Sequence, residues 1–195
     1  MASSFAESAF IGLSIILAFA LQDWDEEKDI EERTMIAMCN VKSELEFNRV
    51  LLQNDYIPRQ KGMLASVQGA IAQLQSQPGA HPPETNLEQM LTQESLRYSA
   101  WTLAGESGYL LHANFELATE IGALADFQED SYQSIVSRMN DAVFDRSAEF
   151  SDEPIMFYVS LSGLIGEWIA QTNYLEEKYN ALFAREDFNQ LACGV

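Results

Sequence analysis

The sequence predicts an all-α fold, an N-terminal transmembrane helix continuing into a membrane-proximal helical bundle. Three observations predict it. An apolar run reaches Leu21 and passes through Trp24 directly into a dense acidic segment. Apolar residues then recur at helical spacing along the remaining chain, as on the inward faces of packed helices. No stretch has the sustained period-two alternation of β-branched residues that a half-buried strand needs. The predicted organisation is an anchor over 1–24, an acidic juxtamembrane helix over 25–57 and a helical bundle over 58–190.

The anchor comes first. Between Phe5 and Leu21 the only strongly polar side chain is Glu7, and Ala9 to Leu21 is uninterrupted. A span needs about 20 residues, or roughly 17 at the short end. The segment suffices if Glu7 sits near the headgroups, and Trp24 then falls at the far interface, where indoles concentrate. Ala18 to Ala20 resembles a small-x-small cleavage site. A cleaved signal would carry Lys or Arg ahead of its apolar stretch, and none is present, so an uncleaved anchor is expected. Ser4, Ser8 and Gly12 lie four apart on one stripe. Small residues so spaced let helices approach closely in lipid. With Trp24 they form the expected membrane or partner interface.

The charge supports the same picture. The net charge is −19, which excludes a general nucleic-acid binder, because phosphate contacts need Lys and Arg. An apolar content of 47% is enough for a core. Acids concentrate after the anchor, at Asp23, Asp25, Glu26, Glu27, Asp29, Glu31 and Glu32, against Lys28 and Arg33 alone. Like charges at i,i+4 cost a helix a few tenths of a kcal/mol each. The simplest reading is a hydrated stalk. The alternative is an electropositive partner, which Asp25, Glu26, Asp29 and Glu32 would face. Lys28, Arg33 and Lys42 follow the anchor and none precedes it, which places the bulk of the chain in the cytoplasm of a bacterium, on a single-pass inner-membrane anchor. Cys39 and Cys193 give no disulfide framework, and Cys39 is expected as a small core residue.

The remaining elements follow from spacing and punctuation. The first helix is expected to continue to Leu52 with Met38, Val41, Leu45 and Leu52 on its inner stripe, and to break at Tyr56-Ile-Pro58. A second helix, 58–77, carries Met63, Val67, Ile71 and Leu74. Gln77 to Pro83 is a loop, with His81 in it. A short helix over 86–93 precedes a third region, 95–113, interrupted by Gly105 and Gly108. Asn114 is the expected N-cap of a long helix bearing Leu117, Ile121, Leu124, Tyr132, Ile135, Met139 and Val143. Ser151-Asp-Glu-Pro154 starts the last helix, with Phe157, Leu161, Leu164, Trp168, Leu175, Tyr179 and Leu182 on one stripe. Residues 155–170 carry only Glu167 as a charge, yet the stripe continues to Leu182, which favours a buried bundle helix over a second span.

No catalytic, cofactor or metal motif stands out. Bundle metal sites use Glu-x-x-His pairs on facing helices, and neither His81 nor His112 has a carboxylate three residues earlier. His112 and Glu116 are i,i+4, a pairing that leaves an enzyme as the least favoured reading. There is no phosphate loop, no Cys-x-x-Cys and no nucleophile elbow.

Two stretches carry a resemblance. One is Ala6 to Phe10 with Asp23-Trp24, followed by Glu44-Leu-Glu-Phe-Asn-Arg-Val-Leu-Leu52. The other runs from Ser99-Ala-Trp101 to Leu117. Together they resemble a family of small bacterial membrane-anchored helical proteins, a domain of unknown function. The resemblance implies a membrane-anchored helical domain, and it carries no activity, cofactor or catalytic residue. In that family an Arg-rich stretch after the anchor implies a cytoplasmic domain; here the same place is acidic.

The expected function is non-catalytic: an accessory or scaffolding subunit of a larger bacterial membrane complex, respiratory or photosynthetic. Its partners would be other membrane-complex subunits and the lipid bilayer, with no cofactor. The alternative is a membrane-anchored sensor of a small ligand, with an internal pocket lined by Trp101, Tyr109 and Trp168.

Overall fold

The computed structural model describes residues 2–77, 79, 81–91, 94–145 and 153–193; for residues 2–12 and Met90 it describes the backbone alone. All regular structure among them is helical. The helix α1 (Ala2–Leu51) passes through a π turn (Leu52–Tyr56) into α2 (Ile57–Ser76). The long helix α4 (Phe115–Asp126) likewise passes through a π turn (Phe127–Tyr132) into α5 (Gln133–Phe144). Helix α6 (Pro154–Ala184) packs antiparallel to both rods, and a short α7 (Glu186–Asn189) closes the chain. Between the first two rods lie a 3-10 turn (Leu87–Met90), α3 (Ser99–Glu106) and a second 3-10 turn (Tyr109–His112).

The stripes read from the sequence form the core. Met38, Val41, Leu45, Leu52, Met63, Val67 and Leu74 are buried along the first rod. Leu117, Ile121, Leu124, Tyr132, Ile135, Met139 and Val143 are buried along the second. Phe157, Leu161, Trp168, Leu175, Tyr179 and Leu182 are buried along α6, so 155–170 is a bundle helix as expected. Fully burying one such side chain contributes about 1.5–3 kcal/mol, which makes these three stripes the main source of stability. Thr34 is the first buried side chain among the described residues, so α1 enters the core there.

Four expectations change. Tyr56-Ile-Pro58 does not break the helix. The Ile57 N–H reaches five residues back to the Leu52 carbonyl, and Pro58 has no N–H to place, so the wider turn absorbs the proline. The expected helix over 86–93 is a 3-10 turn, Leu87–Met90. The third region splits at Gly108, whose φ of 79° is open to glycine at no steric cost. Finally, Cys39 is not a lone core residue. It forms a disulfide with Cys193 across 154 residues of sequence. Spacing alone gave no signal of this pairing, because the two cysteines meet only once the last helix has folded back along α1.

Local signals hold at two helix starts. The Asn114 side chain accepts the Leu117 N–H at 3.0 Å, as the N-cap reading requires. Pro154 opens α6 in its first turn, although the Ser151 and Asp152 of that start signal lie outside the described residues.

Candidate functional site

Three regions of this molecule carry features beyond plain core packing: the projecting part of α1, the seam between α1 and α3, and the centre of the bundle.

From Leu13 to Asp29 every side chain of α1 is exposed. Leu13, Ile15, Ile16, Leu17, Phe19 and Leu21 point in all directions around the helix, and none packs against the bundle. A helix that is apolar all round is stable only inside an apolar medium or a partner. Trp24 is exposed too, with Lys28 Nζ 3.9 Å from its ring centre. Asp25, Glu26, Asp29 and Glu32 are exposed. Only Asp29 of these has a described ion pair, with Arg33 at 2.9 Å. The side chains of Ser4, Ser8 and Gly12 lie outside the described residues. Among the described residues, no helix is long and apolar enough to cross a membrane.

The seam is built by α1 itself. Glu44 accepts the Ala100 N–H at 3.0 Å and the Ser99 hydroxyl at 2.9 Å, placing a carboxylate at the positive end of α3. The Phe47 ring lies 3.5 Å from the Arg97 guanidinium carbon. Asn48 is fully buried and grips the Arg97 backbone twice, donating to its carbonyl at 2.6 Å and accepting its N–H at 2.8 Å. Glu44, Phe47 and Asn48 thus fasten the loop that leads into Ser99-Ala-Trp101. The Glu44 to Asn48 segment of α1 and the Arg97 to Ala100 segment meet in space. Above them, Arg33 donates to the Tyr109 hydroxyl at 3.3 Å. A groove of about 540 Å³ opens beside this seam, lined by Ile36, Ala37, Asn40, Leu103, Ala104 and Tyr109 among others, with Ile36 and Leu103 exposed. Leu111 and Phe115, in the nearby corner between the 3-10 turn and α4, are 86% and 83% exposed. Apolar surface so near the projecting helix is where a partner would find purchase.

At the bundle centre the two π turns face each other. Tyr56 and Tyr132, the last residue of each, stack with ring centres 6.0 Å apart, and Trp168 of α6 meets Tyr56 edge-on at 6.2 Å. The hydrogen bonds close a ring. Trp168 Nε1 donates to the Tyr132 hydroxyl at 3.1 Å, and the Thr172 hydroxyl donates to the Trp168 carbonyl at 3.0 Å. The Tyr132 and Thr172 hydroxyls are 2.9 Å apart. Since the Thr172 proton is committed to Trp168, Tyr132 is the donor between them. Gln60 Nε2 also donates to Thr172, at 2.6 Å. One level along α6, Tyr179 donates to Gln128. Burial pushes the Tyr132 and Tyr179 hydroxyls well above the ordinary tyrosine range. This network is closed and satisfied, so it fixes how the three rods align.

The residues expected to line a ligand pocket do not converge. Trp168 is in the central network, Trp101 packs against Gly122, and Tyr109 is at the seam. A side chain at Gly122 would meet Trp101 Cζ2 at 3.0 Å, so glycine there permits that contact. His112 ends the second 3-10 turn and Glu116 lies in the first turn of α4, both exposed. Among the described residues, no three His, Cys, Asp or Glu side chains are grouped to hold a metal. The seam, the π turns and the disulfide were not foreseen from spacing.

No family model, curated protein or solved structure matches this chain.

Proposed function

We propose that this chain is a non-catalytic accessory or scaffolding subunit of a membrane protein complex, anchored by the N-terminal part of α1. The observation that carries the reading is the exposed apolar surface from Leu13 to Leu21, which no element among the described residues covers. With the apolar residues that precede it, the segment reaches about 17 residues, the short end of a span. Trp24 sits at the interface that follows, and the acidic stretch beyond is hydrated. The bundle supports a scaffolding role. Hydrogen bonds close its centre, and the two most exposed apolar groups among its described residues, Leu111 and Phe115, lie near the seam with α1, as does Leu103.

The test is a mild-detergent pull-down of the tagged full chain from native membranes, with mass spectrometry of what co-purifies. Stoichiometric membrane subunits are expected, and their loss when Leu103, Leu111 and Phe115 are replaced by Asp would assign the contact. Recovery as a lone monomer would overturn the reading.

A further inference from the structure

We infer that the bundle resides in an oxidising compartment, on the far side of the membrane from the cytoplasm, with Cys39–Cys193 as the latch that holds the C-terminal segment on α1. The side of the membrane rests on the anchor proposed above; the oxidising compartment does not. Both cysteines of the chain are in this bond, and neither is free. Disulfides persist in oxidising compartments and are rare where cytosolic reductants hold thiols reduced. The pairing is prepared by contacts independent of it. Phe188 is fully buried, and Lys42 Nζ donates to the Phe188 carbonyl at 3.2 Å and the Asn189 carbonyl at 3.5 Å. Arg185 bridges Asp187 at 2.7 Å and also pairs with Glu120. Residues 185–189 are therefore seated before Cys193 is reached, and Cys193 falls opposite Cys39 with Cα atoms 5.3 Å apart. Formation removes two protons and two electrons from two thiols. A protein disulfide of that compartment accepts them by thiol–disulfide exchange and leaves as a dithiol.

This inference opposes the expectation of a cytoplasmic bundle. That expectation rests on Lys28, Arg33 and Lys42, three cations after the anchor. A bias of three sets orientation weakly, whereas a cytosol would keep Cys39 and Cys193 reduced.

The experiment uses the full chain, with a C-terminal tag, in a bacterial host. Cells are acid-quenched and denatured, and free thiols are alkylated with a maleimide–polyethylene glycol before or after reduction. The expected result is no gel shift without reductant and two additions with it, the tag being digested by protease added outside intact spheroplasts. Two additions without reductant, or a tag protected until the membrane is lysed, would overturn the inference. Cys39→Ser is the control for reactivity and takes one addition without reductant. Failure of the chain to sediment with membranes would sink the anchor and leave the thiol result to decide the compartment.

Discussion

The two ends of α1 are one continuous helix with opposite ways of being stable. From Leu13 to Asp29 its side chains are exposed on every face, and the apolar ones are not sorted by side. From Thr34 onward a stripe of its apolar side chains, Met38, Val41 and Leu45, is buried by the bundle, while Met35, Ile36 and Val50 stay exposed. Helical propensity is similar in both halves; the distribution of apolar residues around the axis differs. A striped helix finds its partner within its own chain. A helix apolar all round needs its partner from outside. The transition from one regime to the other falls across the acidic stretch of α1, Asp23 to Glu32, whose charges keep it in water.

That difference can be broken from the bundle side. The largest effect is expected at Trp168, which carries both the aromatic contacts and the hydrogen-bond ring. Trp168→Ala should cost about 3–5 kcal/mol, read as a lowered denaturation midpoint. Next comes the latch. Cys193→Ser should cost about 2–5 kcal/mol, because the bond closes a loop of most of the bundle in the unfolded chain. Melting with and without reductant checks it, and reductant should not shift the variant further. Thr172→Val removes the acceptor of Tyr132 and of Gln60 while keeping the shape. It should cost about 1–3 kcal/mol, the desolvation of unpaired buried groups.

Alkaline pH sharpens the same contrast. A free tyrosine ionises near 10.0, and Tyr132 and Tyr179 ionise well above that in the fold. Unfolding above that ordinary value therefore releases protons, and stability falls as pH rises through the window between the unfolded and folded values. The bundle should be at full stability below it. A denaturation series from neutral to alkaline pH should give falling midpoints, with a shallower slope in Tyr179→Phe. The smallest effect is expected at Arg138 and Glu167, an exposed pair 2.9 Å apart, where Arg138→Ala should shift the midpoint by less than about 0.5 kcal/mol.

The sequence made the helices and their inner stripes legible because burial selects apolar residues at a period the eye can count. Asn114 was legible as a cap for a local reason, its side chain serving the N–H three residues on. The π turns were not legible. Pro58 is ordinarily a stop signal, and one extra residue per turn leaves no mark on a hydrophobic stripe. The disulfide was invisible because partners 154 residues apart are set by tertiary folding. Glu44 and Asn48 looked like ordinary helix-surface residues, yet they fasten the loop ahead of α3. For the projecting helix, composition shows an apolar surface without periodicity, and the exposure of Leu13 to Leu21 agrees with that pattern.

The most direct measurement compares one substitution at two points of α1. Ile16→Asp and Val41→Asp each place a carboxylate on the same helix, one in the exposed half and one in the core. Both proteins would be followed by membrane sedimentation and by thermal unfolding of the bundle. The account predicts that Ile16→Asp weakens membrane retention, by about 3 kcal/mol for a charge near a span's centre, and leaves the bundle's melting unchanged. Val41→Asp should do the reverse, unfolding the bundle. Unaltered membrane retention in Ile16→Asp, or a bundle that melts early because of it, would contradict the account.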